Sequence, residues 1–461
     1  MTKEKIRERR DKRLIMNREI LVINPWIYDF KGFDEWSKPL GLLYISSILK
    51  KEGYNISFIN CLDRNNPDVD PKYNEDPKKY GCGKFPAEEI EKPNIFKGIK
   101  RKYKRYGISE ETFIKELKNK PKPTAVITGS LITFWYEGLF RVIQIIKEIY
   151  PDVPVIIGGI YVTLCFDHAQ LKSNADYIVK GNNPNDIVDI LEKITGQKRK
   201  YNWENFSDYP TPAYHLLNNP CAVPVMTSMG CPFRCVYCAS SIINKRFQSA
   251  DPKKLADEFS KEIENMKLTD IAFYDDALLV DYKRRTGPYI DKLVENGYNF
   301  RYHTPNAMHA KYITEEVAES LKSHGFISLR IGFEFIDDQM QKKTGGKTTT
   351  QDLINASKAL YKAGFKKENI KAYILIGIPN TQPKSVEDAI KACCDLGLQT
   401  HLSEYSPIPL TPMWKEFPGT DTEDSKDPLF HNNTYHIFKG TVISEEDYNK
   451  LKTLSRAMNK L

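Results

Sequence analysis

The chain has 461 residues, of which 41% are hydrophobic and 28% are charged, and its formal net charge is +8 at pH 7. This length predicts two or three domains, and the composition excludes a disordered chain. No apolar run reaches the roughly 20 residues that a membrane-spanning helix needs, and the tail at residues 1–18 lacks the apolar segment of a secretory signal. We therefore expect a cytoplasmic protein without a membrane span.

Residues 19–200 alternate between strand and helix patterns. Strands are predicted at residues 19–24, 56–60, 125–129, 154–158 and 176–180, and helices at 40–51, 139–150 and 186–194. Such alternation predicts a Rossmann-type parallel sheet with a flavodoxin-like strand order and a ligand crevice at the carboxyl ends of the strands. Residues 64–120 interrupt the pattern with a long polar insertion. We predict a helix at 109–118 and a partly ordered cap over the crevice.

The second half of the chain predicts a different domain. Residues 201–222 contain three prolines and no periodicity, which indicates a linker. Strands are then predicted at residues 223–228, 271–274, 300–303, 328–333, 372–376 and 402–405. Six strand–helix units are fewer than the eight of a closed TIM barrel, so we predict a partial (β/α)6 barrel at residues 223–417. Residues 418–461 are a C-terminal extension, predicted to be helical or irregular.

Three of the nine cysteines follow the first barrel strand in a C-x3-C-x2-C pattern, namely Cys231, Cys235 and Cys238. A cuboidal iron–sulfur cluster has four irons, each usually held by a cysteine, so three thiolates leave one iron open. An open coordination position is typical of metal sites that perform chemistry. The alternative is a zinc knuckle, which normally needs a fourth Cys or His close by. The next histidine downstream is His303.

The run from Cys231 to Cys238 resembles the signature of the radical S-adenosylmethionine (SAM) superfamily, and the resemblance covers residues 223–417. It implies a [4Fe-4S] cluster whose open iron binds the amine and carboxylate of SAM. Reductive cleavage of SAM would give methionine and a 5′-deoxyadenosyl radical that abstracts a hydrogen from the substrate. The resemblance also implies an external one-electron donor of the flavodoxin or ferredoxin type.

Further segments resemble the SAM contacts of this family, in the family's order along the chain. Tyr237 resembles the aromatic residue that lies against the adenine. Asp275 and Asp276 stand at the second strand end, where the family contacts the methionine amine, although they depart from the commoner Gly-Gly-Glu. Taken singly, an acidic residue at a strand end is more often a solvated cap, so these assignments depend on their joint order.

The later strand ends continue the resemblance. Glu334, in a Gly-x-Glu pattern, resembles the residue that contacts the SAM ribose or carboxylate. Gly377 resembles a fifth-strand glycine near the adenine, and Pro407 belongs to a segment that resembles the sixth-strand end.

Three polar residues follow the third strand, at the same end of the barrel as the cysteines. They are His303, Asn306 and His309. We predict His303 and Asn306 as catalytic candidates that position substrate or donate a proton. The alternative for a histidine in this position is a structural group that is fully hydrogen-bonded.

The N-terminal domain resembles the cobalamin-binding domains that are fused ahead of radical SAM barrels. The resemblance implies a cobalamin contact at the strand-end residues Ser130, Gly158, Gly159, Thr163 and Gly181. Glycines and small hydroxyl residues there let the backbone approach a large flat ligand. The Asp-x-His-x-x-Gly run that supplies an axial histidine is absent, as in many fused members of the family. The alternative is a Rossmann-like domain that only packs against the barrel or holds substrate.

These resemblances together imply a cobalamin-dependent methyltransferase acting on an unactivated carbon of a small-molecule or peptide substrate. Methylcobalamin would donate the methyl group, and a second SAM would restore it. One alternative is a radical SAM rearrangement, cyclisation or oxidation enzyme that works without cobalamin. A non-enzyme alternative is an electron carrier, but carriers usually hold every iron with a cysteine.

A further alternative is a tRNA methylthiotransferase, because residues 97–105 are rich in Lys and Arg. Those enzymes carry a second cluster on three N-terminal cysteines and a basic C-terminal β domain. Cys61, Cys82 and Cys165 do not follow that pattern, and the chain after residue 417 does not indicate a β domain. We therefore expect no nucleic-acid partner, since isolated charge runs usually face water.

Overall fold

The computed structural model describes residues 18–461, so the predicted tail at residues 1–18 lies outside the described residues except for Arg18. Strands in the first half are β1 (Glu19–Asn24), β2 (Ile27–Asp29), β3 (Phe33–Asp34), β4 (Asn55–Asn60), β5 (Gly83–Lys84), β6 (Ala87–Glu89), β7 (Lys104–Tyr106), β8 (Ala125–Gly129), β9 (Val155–Gly158) and β10 (Tyr177–Ile178). Helices there are α1 (Leu40–Glu52), α2 (Glu110–Asn119), α3 (Tyr136–Ile149), α4 (Ile160–Leu164), α5 (Phe166–Lys172) and α6 (Pro184–Thr195).

The first sheet has five parallel strands in the order β10-β9-β8-β1-β4. Counted along the chain this is the flavodoxin order, 2-1-3-4-5, so the predicted fold class of the first half is confirmed. The strand order reverses between β1 and β8, and a crevice opens at the carboxyl ends of the strands on either side of such a point. Strand β1 is buried along its whole length, which explains its apolar sequence.

No residue of the insertion at residues 64–120 lines the cavity at these strand ends, in contrast to our prediction of a cap over the crevice. Its short strands join antiparallel sheets, β2-β7-β6 and β3-β5, and α2 begins after its capping residue Ser109. The insertion packs beside the ends of β1 and β4, where β7 pairs with β2 and the Ile108 N–H donates to the Cys61 carbonyl, and it also packs against the amino end of the second sheet. Glu75 accepts a hydrogen bond from the Cys221 backbone N–H, and the Pro77 carbonyl accepts one from Arg301.

Buried ion pairs fix the insertion in this position. Asp34 accepts hydrogen bonds from Lys38 (3.2 Å) and Arg64 (3.0 Å), and Lys38 also pairs with Glu75. All four side chains are at least nine-tenths buried. The two cations hold the pKa of Asp34 below its usual value despite its burial. Removing any one partner would leave a buried charge uncompensated.

The second half contains the strands β11 (Ala222–Val225), β12 (Ser228–Met229), β13 (Gln248–Ser249), β14 (Asp270–Phe273), β15 (Arg301–His303), β16 (Met308–His309), β17 (Phe326–Glu334), β18 (Ile370–Ile376) and β19 (Gln399–Glu404). Its helices are α7 (Ser240–Ile243), α8 (Pro252–Glu262), α9 (Thr286–Glu295), α10 (Glu315–Ser323), α11 (Asp338–Lys343), α12 (Thr350–Lys362), α13 (Pro383–Asp395), α14 (Asn433–Lys439) and α15 (Glu445–Met458).

The six predicted strand–helix units are confirmed as an open parallel sheet. The order β11-β14-β15-β17-β18-β19 follows the chain, and β16 adds a short parallel pairing to β17. The sheet does not close into a barrel, in agreement with the prediction of a partial one. The segment between β3 and α1 covers part of the inner face of this second sheet. The Trp36 ring stacks on His303 at 4.4 Å, and Glu35 pairs with Arg330.

The C-terminal extension joins both halves. Helix α15 packs along the edge strand β19, where Ser455 and Asn459 contact Thr400. Asn432 donates a hydrogen bond to Asp29 of the first half (3.0 Å), and the His431 ring lies 2.9 Å from the Thr133 hydroxyl. In the described part of the chain, no helix is long and apolar enough to cross a membrane.

Candidate active site

The cysteine loop is closed at its base by a two-strand ladder. Strand β12 precedes the loop and pairs antiparallel with β13, which follows it. Gly230, at the start of the loop, has a φ of +82°, and a Cβ atom there would lie 2.6 Å from the Arg246 carbonyl oxygen. A side chain at this position would therefore separate the two ends of the loop.

The three cysteines line one cavity of about 250 Å³. We call it the thiol cavity; its other lining residues include Phe233, Tyr237, Ser240, Asp276, Asn306, His309 and Lys347. Cys235 is buried, and Cys231 and Cys238 are partly exposed. Burial raises the pKa of the Cys231 thiol to about 11 and that of Cys238 above its usual value. These thiols thus ionise only with a strong electrostatic partner, and a coordinated metal supplies one.

The donor set fits an iron–sulfur cluster. Within residues 18–461, no group of three Cys, His, Asp or Glu side chains is close enough to hold a single metal ion. A cubane binds each cysteine to a different iron, so its ligands surround a space instead of meeting at a point. Three thiols around the thiol cavity, with no fourth cysteine in its lining, match that requirement.

Asp275 and Asp276 have different surroundings. Asp275 is 2% exposed and accepts hydrogen bonds from Thr227, Ser228 and Arg285 (2.6–3.1 Å). It therefore holds the segment that leads into the cysteine loop. Asp276 accepts a hydrogen bond from Ser240 and lines the thiol cavity, and burial raises its pKa.

An ion pair that sequence analysis missed borders the thiol cavity. Lys347 donates to Glu334 (2.8 Å), and its ammonium lies 5.6 Å from the centre of the Tyr237 ring. The ammonium also opposes the effect of burial on the Cys235 thiol, whose pKa is nevertheless raised. Lys347 follows two glycines after α11 and matches no strand end. That Gly-Gly-Lys run is the signal that could have identified it.

The candidates after β15 are placed differently from one another. His303 is fully buried, with its ring nitrogens 2.8 Å from Asp270 and Ser328, and it does not line the thiol cavity. Asn306 lines the cavity and donates to the Tyr274 carbonyl (2.9 Å). His309 also lines it. Its ring stacks on Phe233 at 4.6 Å, its buried Nδ1 has no hydrogen-bond partner among the described residues, and burial lowers its pKa to about 3.

Gly377 and Pro407 lie outside this cavity. Gly377 follows β18 with a φ of +83°, near Val442 of the C-terminal extension. Pro407 follows Ser406, whose hydroxyl donates to the His431 carbonyl. Their assignment to SAM stays a prediction.

A second cavity, of about 310 Å³, lies between the two halves of the chain. We call it the interdomain cavity. Its lining includes all five residues predicted to contact cobalamin: Ser130, Gly158, Gly159, Thr163 and Gly181. The second half contributes Met226, Ser228, Met229, Gly230, Ile243, Asn244 and Asp276.

Part of the first-half wall of the interdomain cavity is backbone at glycine residues, and apolar side chains such as Ile45 and Ile187 form much of the rest. The Thr163 hydroxyl donates to the Gly159 carbonyl (2.8 Å) and accepts from the Gly181 N–H (3.1 Å), which ties α4 to the strand ends. A Cβ atom at Gly41 or Gly181 would meet no heavy atom within 4 Å and would project into open space. A large flat ligand such as a corrin fits such a cradle. No histidine lines the cavity among the described residues.

The two cavities adjoin each other. Asp276 lines both, and the consecutive residues Gly230 and Cys231 line one each. A group in the thiol cavity and one in the interdomain cavity would thus face each other across the start of the cysteine loop.

Residues 225–393 match the Radical SAM superfamily. The chain is 26% identical over 342 residues to the uncharacterized methyltransferase PH0819 of Pyrococcus horikoshii, covering 67% of this chain and 73% of that protein. It is 20% identical over 324 residues to the anaerobic magnesium-protoporphyrin IX monomethyl ester cyclase of Rubrivivax gelatinosus, covering 60% of this chain and 55% of the cyclase.

Solved structures share the fold across both halves of the chain. The radical SAM methyltransferase TsrM of Kitasatospora setae, with tryptophan and a SAM analogue bound, superposes with a TM-score of 0.67 at 14% identity and covers 96% of this chain and 89% of its own. The cobalamin-dependent SAM radical enzyme OxsB, with aqua-cobalamin bound, gives a TM-score of 0.57 at 13% identity, with 96% and 57% coverage. Residues 225–393 therefore match a radical SAM domain, and this family uses a [4Fe-4S] cluster and SAM.

Proposed function

We propose that this radical SAM enzyme binds cobalamin in its interdomain cavity and transfers a methyl group to an unactivated carbon of a small-molecule or peptide substrate. The observation that carries the proposal is the contact between the two cavities at Asp276. When bound, the cluster with SAM supplies a substrate radical, and cobalamin supplies the methyl group. Two reactive groups that act on one carbon must lie side by side, and the adjoining cavities meet that requirement.

In this proposal the described side chains bind and orient the groups in the thiol cavity. Cys231, Cys235 and Cys238 hold the cluster. Lys347, itself held by Glu334, offers a partly buried ammonium to the SAM carboxylate, and the Tyr237 ring forms an apolar wall against the adenine. A charge-assisted hydrogen bond from such an ammonium is stronger than a neutral one.

Asp276 accepts a proton or a hydrogen bond from the methionine amine or from substrate at the cavity junction. Burial raises the pKa of Asp276 and so disfavours its charged form, which favours a partner that neutralises it. His309 stays neutral because of its low pKa, so its ring can accept or donate one hydrogen bond without adding charge.

Substrate must enter beside the interdomain cavity. The inner face of the second sheet, where a substrate would otherwise lie, is filled by Trp36 stacked on His303 and by the Glu35–Arg330 pair. We therefore leave His303 out of the proposed catalytic set. We infer that substrate reaches Asn306 and His309 from the junction of the two cavities.

A second candidate function is radical cyclisation or oxidation without methyl transfer, which the similarity to the cyclase favours. No described contact favours a tRNA methylthiotransferase. Cys61 and Cys82 lie in different apolar clusters, beside Trp26 and Trp36 respectively. The cytoplasmic location and the substrate class, a small molecule or a peptide, stay predictions.

Anaerobic reconstitution of the full chain tests the proposal. We expect about four irons per chain and a broad absorbance band of the cluster in the visible spectrum. We also expect bound cobalamin, 5′-deoxyadenosine formation from SAM under dithionite, and label from methyl-labelled SAM in the bound corrinoid. The control is the Cys231→Ala/Cys235→Ala/Cys238→Ala triple variant, which keeps the interdomain cavity and should bind cobalamin without cleaving SAM. A wild-type chain that cleaves SAM but binds no cobalamin would favour the second candidate.

A further inference from the structure

We propose that the methyl acceptor carries an oxyanion, either a carboxylate or a phosphate, that binds on the inner face of the second sheet. The binding residues are Arg330 of β17, Lys371 of β18 and His401 of β19, here called the basic site. The inference rests on the proposed function and names the chemical class of its substrate. The reacting carbon of the acceptor would lie in the thiol cavity, and its oxyanion would lie in the basic site.

The strand register places the three side chains on one face of the sheet. Arg330 is paired with Lys371 between β17 and β18, and Tyr373 is paired with His401 between β18 and β19. Lys371 and Tyr373 are two residues apart on one strand, so their side chains point to the same side. Tyr373 lines the thiol cavity, which identifies that side as the inner face. The basic site is therefore a neighbour of the cavity that the three cysteines line.

The inner face is closed over β17 and open over β18 and β19. Arg330 is 9% exposed, whereas the inner positions Lys371 and Tyr373 of β18 are partly exposed and alternate with buried outer positions. On β19, His401 is exposed. The segment between β3 and α1 contacts the face at β15 and β17. A small anion can therefore reach Arg330 and Lys371 from the side of β19.

The basic site holds more positive charge than the chain neutralises. Arg330 and Lys371 start from opposed positions on strands about 4.8 Å apart, and like charges at such positions repel each other. Glu35 pairs with Arg330 (3.2 Å), but Lys371 forms no ion pair within residues 18–461. Burial and the neighbouring guanidinium lower the pKa of Lys371, so its charged form lacks a stabilising partner. A bound anion would supply that partner.

The contact with Glu35 shows which ligand chemistry this guanidinium accepts. The Glu35 carboxylate reaches Nη2 of Arg330 from another segment of the chain, and its side chain is 46% exposed. A guanidinium can bind a carboxylate or a phosphate through two parallel N–H donors, and a lysine ammonium adds further donors. A partly exposed ion pair is weak, so a substrate anion can displace it. Glu35 therefore occupies part of the space that the substrate oxyanion takes and competes with it for Arg330.

Tyr373 sets the distance between the basic site and the reacting end of the substrate. Its hydroxyl donates to the Pro305 carbonyl (3.1 Å), and both residues line the thiol cavity. Lys371 lies two residues earlier, which is about 6.6 Å along the strand. The acceptor would therefore carry its oxyanion roughly 7 Å or more from the carbon that is methylated. A neutral or cationic acceptor would leave Lys371 without a partner.

Differential acetylation of the reconstituted full chain tests the basic site. Acetic anhydride reacts with uncharged amines, and mass spectrometry reports the rate at each lysine. The control is Lys358, which is exposed on α12. With about 10 mM inorganic phosphate or glutarate, we expect the rate at Lys371 relative to Lys358 to fall about fivefold or more, because a bound oxyanion covers the ammonium and favours its charged form. Stronger protection by glutarate would assign a carboxylate to the substrate, and stronger protection by phosphate would assign a phosphate.

Two substitutions should move this protection in opposite directions. Glu35→Gln removes the internal competitor and keeps the size of the side chain, so half-protection of Lys371 should need about threefold less of either anion. Arg330→Met should remove the protection, with circular dichroism as the check of its fold. Absence of protection by both anions in the wild type would overturn the basic site. An unchanged half-protecting concentration in Glu35→Gln would overturn it as well.

The charge of the methylated product tests the substrate class. The reconstituted chain, supplied with methyl-labelled SAM and a small-molecule extract of the native cells, should give a labelled product that an anion exchanger retains at pH 7. Label found only in neutral or cationic products would overturn the assignment of the basic site to the substrate. If no label is transferred at all, the proposed function fails, while the protection of Lys371 still decides whether the basic site binds an anion.

Discussion

The carboxylates of Asp275 and Asp276 are adjacent in the chain and face different surroundings. Asp275 is enclosed by Thr227, Ser228 and the Arg285 guanidinium (2.7 Å), while Asp276 reaches the junction of the two cavities. The chain turns directly after β14, so one carboxylate supports the cysteine loop and the other serves the site.

Separate substitutions should distinguish these two roles. Asp275→Ala leaves Arg285 as a buried, uncompensated charge, so we expect the free energy of unfolding of the cluster-free protein to fall by about 3–5 kcal/mol. Asp276→Asn should not lower that free energy, because burial disfavours its charged form. It should instead slow SAM cleavage. Urea unfolding and 5′-deoxyadenosine yield measure the two effects, and equal stability loss in both variants would contradict the assignment.

Lys347→Met should weaken SAM binding. The ammonium beside Tyr237 and Glu334 is a partly buried cation that lines the thiol cavity, and a hydrogen bond to a charged group contributes about 1.5–3 kcal/mol, or roughly 10- to 100-fold in Kd. Equilibrium binding of SAM to the reconstituted protein measures the loss. Lys347→Arg keeps the charge and should recover part of the affinity, while iron content should stay the same in both variants. A variant that lacks iron would indicate that Lys347 supports the cluster instead.

Gly41 offers a substitution that changes the interdomain cavity without disturbing the fold. It lies in the first turn of α1, lines the cavity, and has open space where a Cβ atom would stand. Gly41→Leu should fill the cavity and abolish cobalamin binding, whereas Gly41→Ala should retain most of it. Both variants should unfold at the same temperature as the wild type or slightly higher. Replacing a helical glycine raises the free energy of unfolding by up to about 1 kcal/mol through helix propensity. Cobalamin absorbance after gel filtration and thermal unfolding measure the two properties. Undiminished binding by Gly41→Leu would place cobalamin elsewhere.

The contact between the C-terminal extension and the first half should weaken in acid. Burial lowers the pKa of His431, which is 2% exposed beside Thr133, to about 3. A histidine with a lowered folded pKa contributes its full stability above the unfolded value of about 6.5 and loses it as pH falls from there toward 3. At pH 5 the loss approaches about 2 kcal/mol.

Unfolding free energies at pH 7.5 and pH 5 check this prediction. His431→Asn keeps a polar side chain but does not titrate, so its stability should fall less between the two pH values than that of the wild type. Hydrogen exchange should show the earliest opening at residues 428–436. Equal pH dependence in the wild type and the variant would assign the acid sensitivity to other groups.

Local patterns in the sequence predicted those features that depend on neighbouring residues. The spacing of Cys231, Cys235 and Cys238 indicates three ligands on one loop, and the strand–helix alternation indicates both parallel sheets. The glycines of the interdomain cavity were also predictable, since Gly158 ends β9, Gly159 follows it and Gly181 comes shortly after β10, where a parallel sheet opens its crevice.

Contacts between distant segments were decided only by the tertiary structure. His303 stands at the end of a strand as a catalytic residue would, yet Trp36, more than 260 residues earlier, stacks on it and closes its surroundings. Lys347 lies on a loop without a strand pattern, and it reaches the thiol cavity because that loop packs on Cys235. The physical reason is that burial and charge pairing are set by whichever segments meet in space. The sequence by itself therefore determined which residues can carry the chemistry, and the fold decided which of them face the cavities.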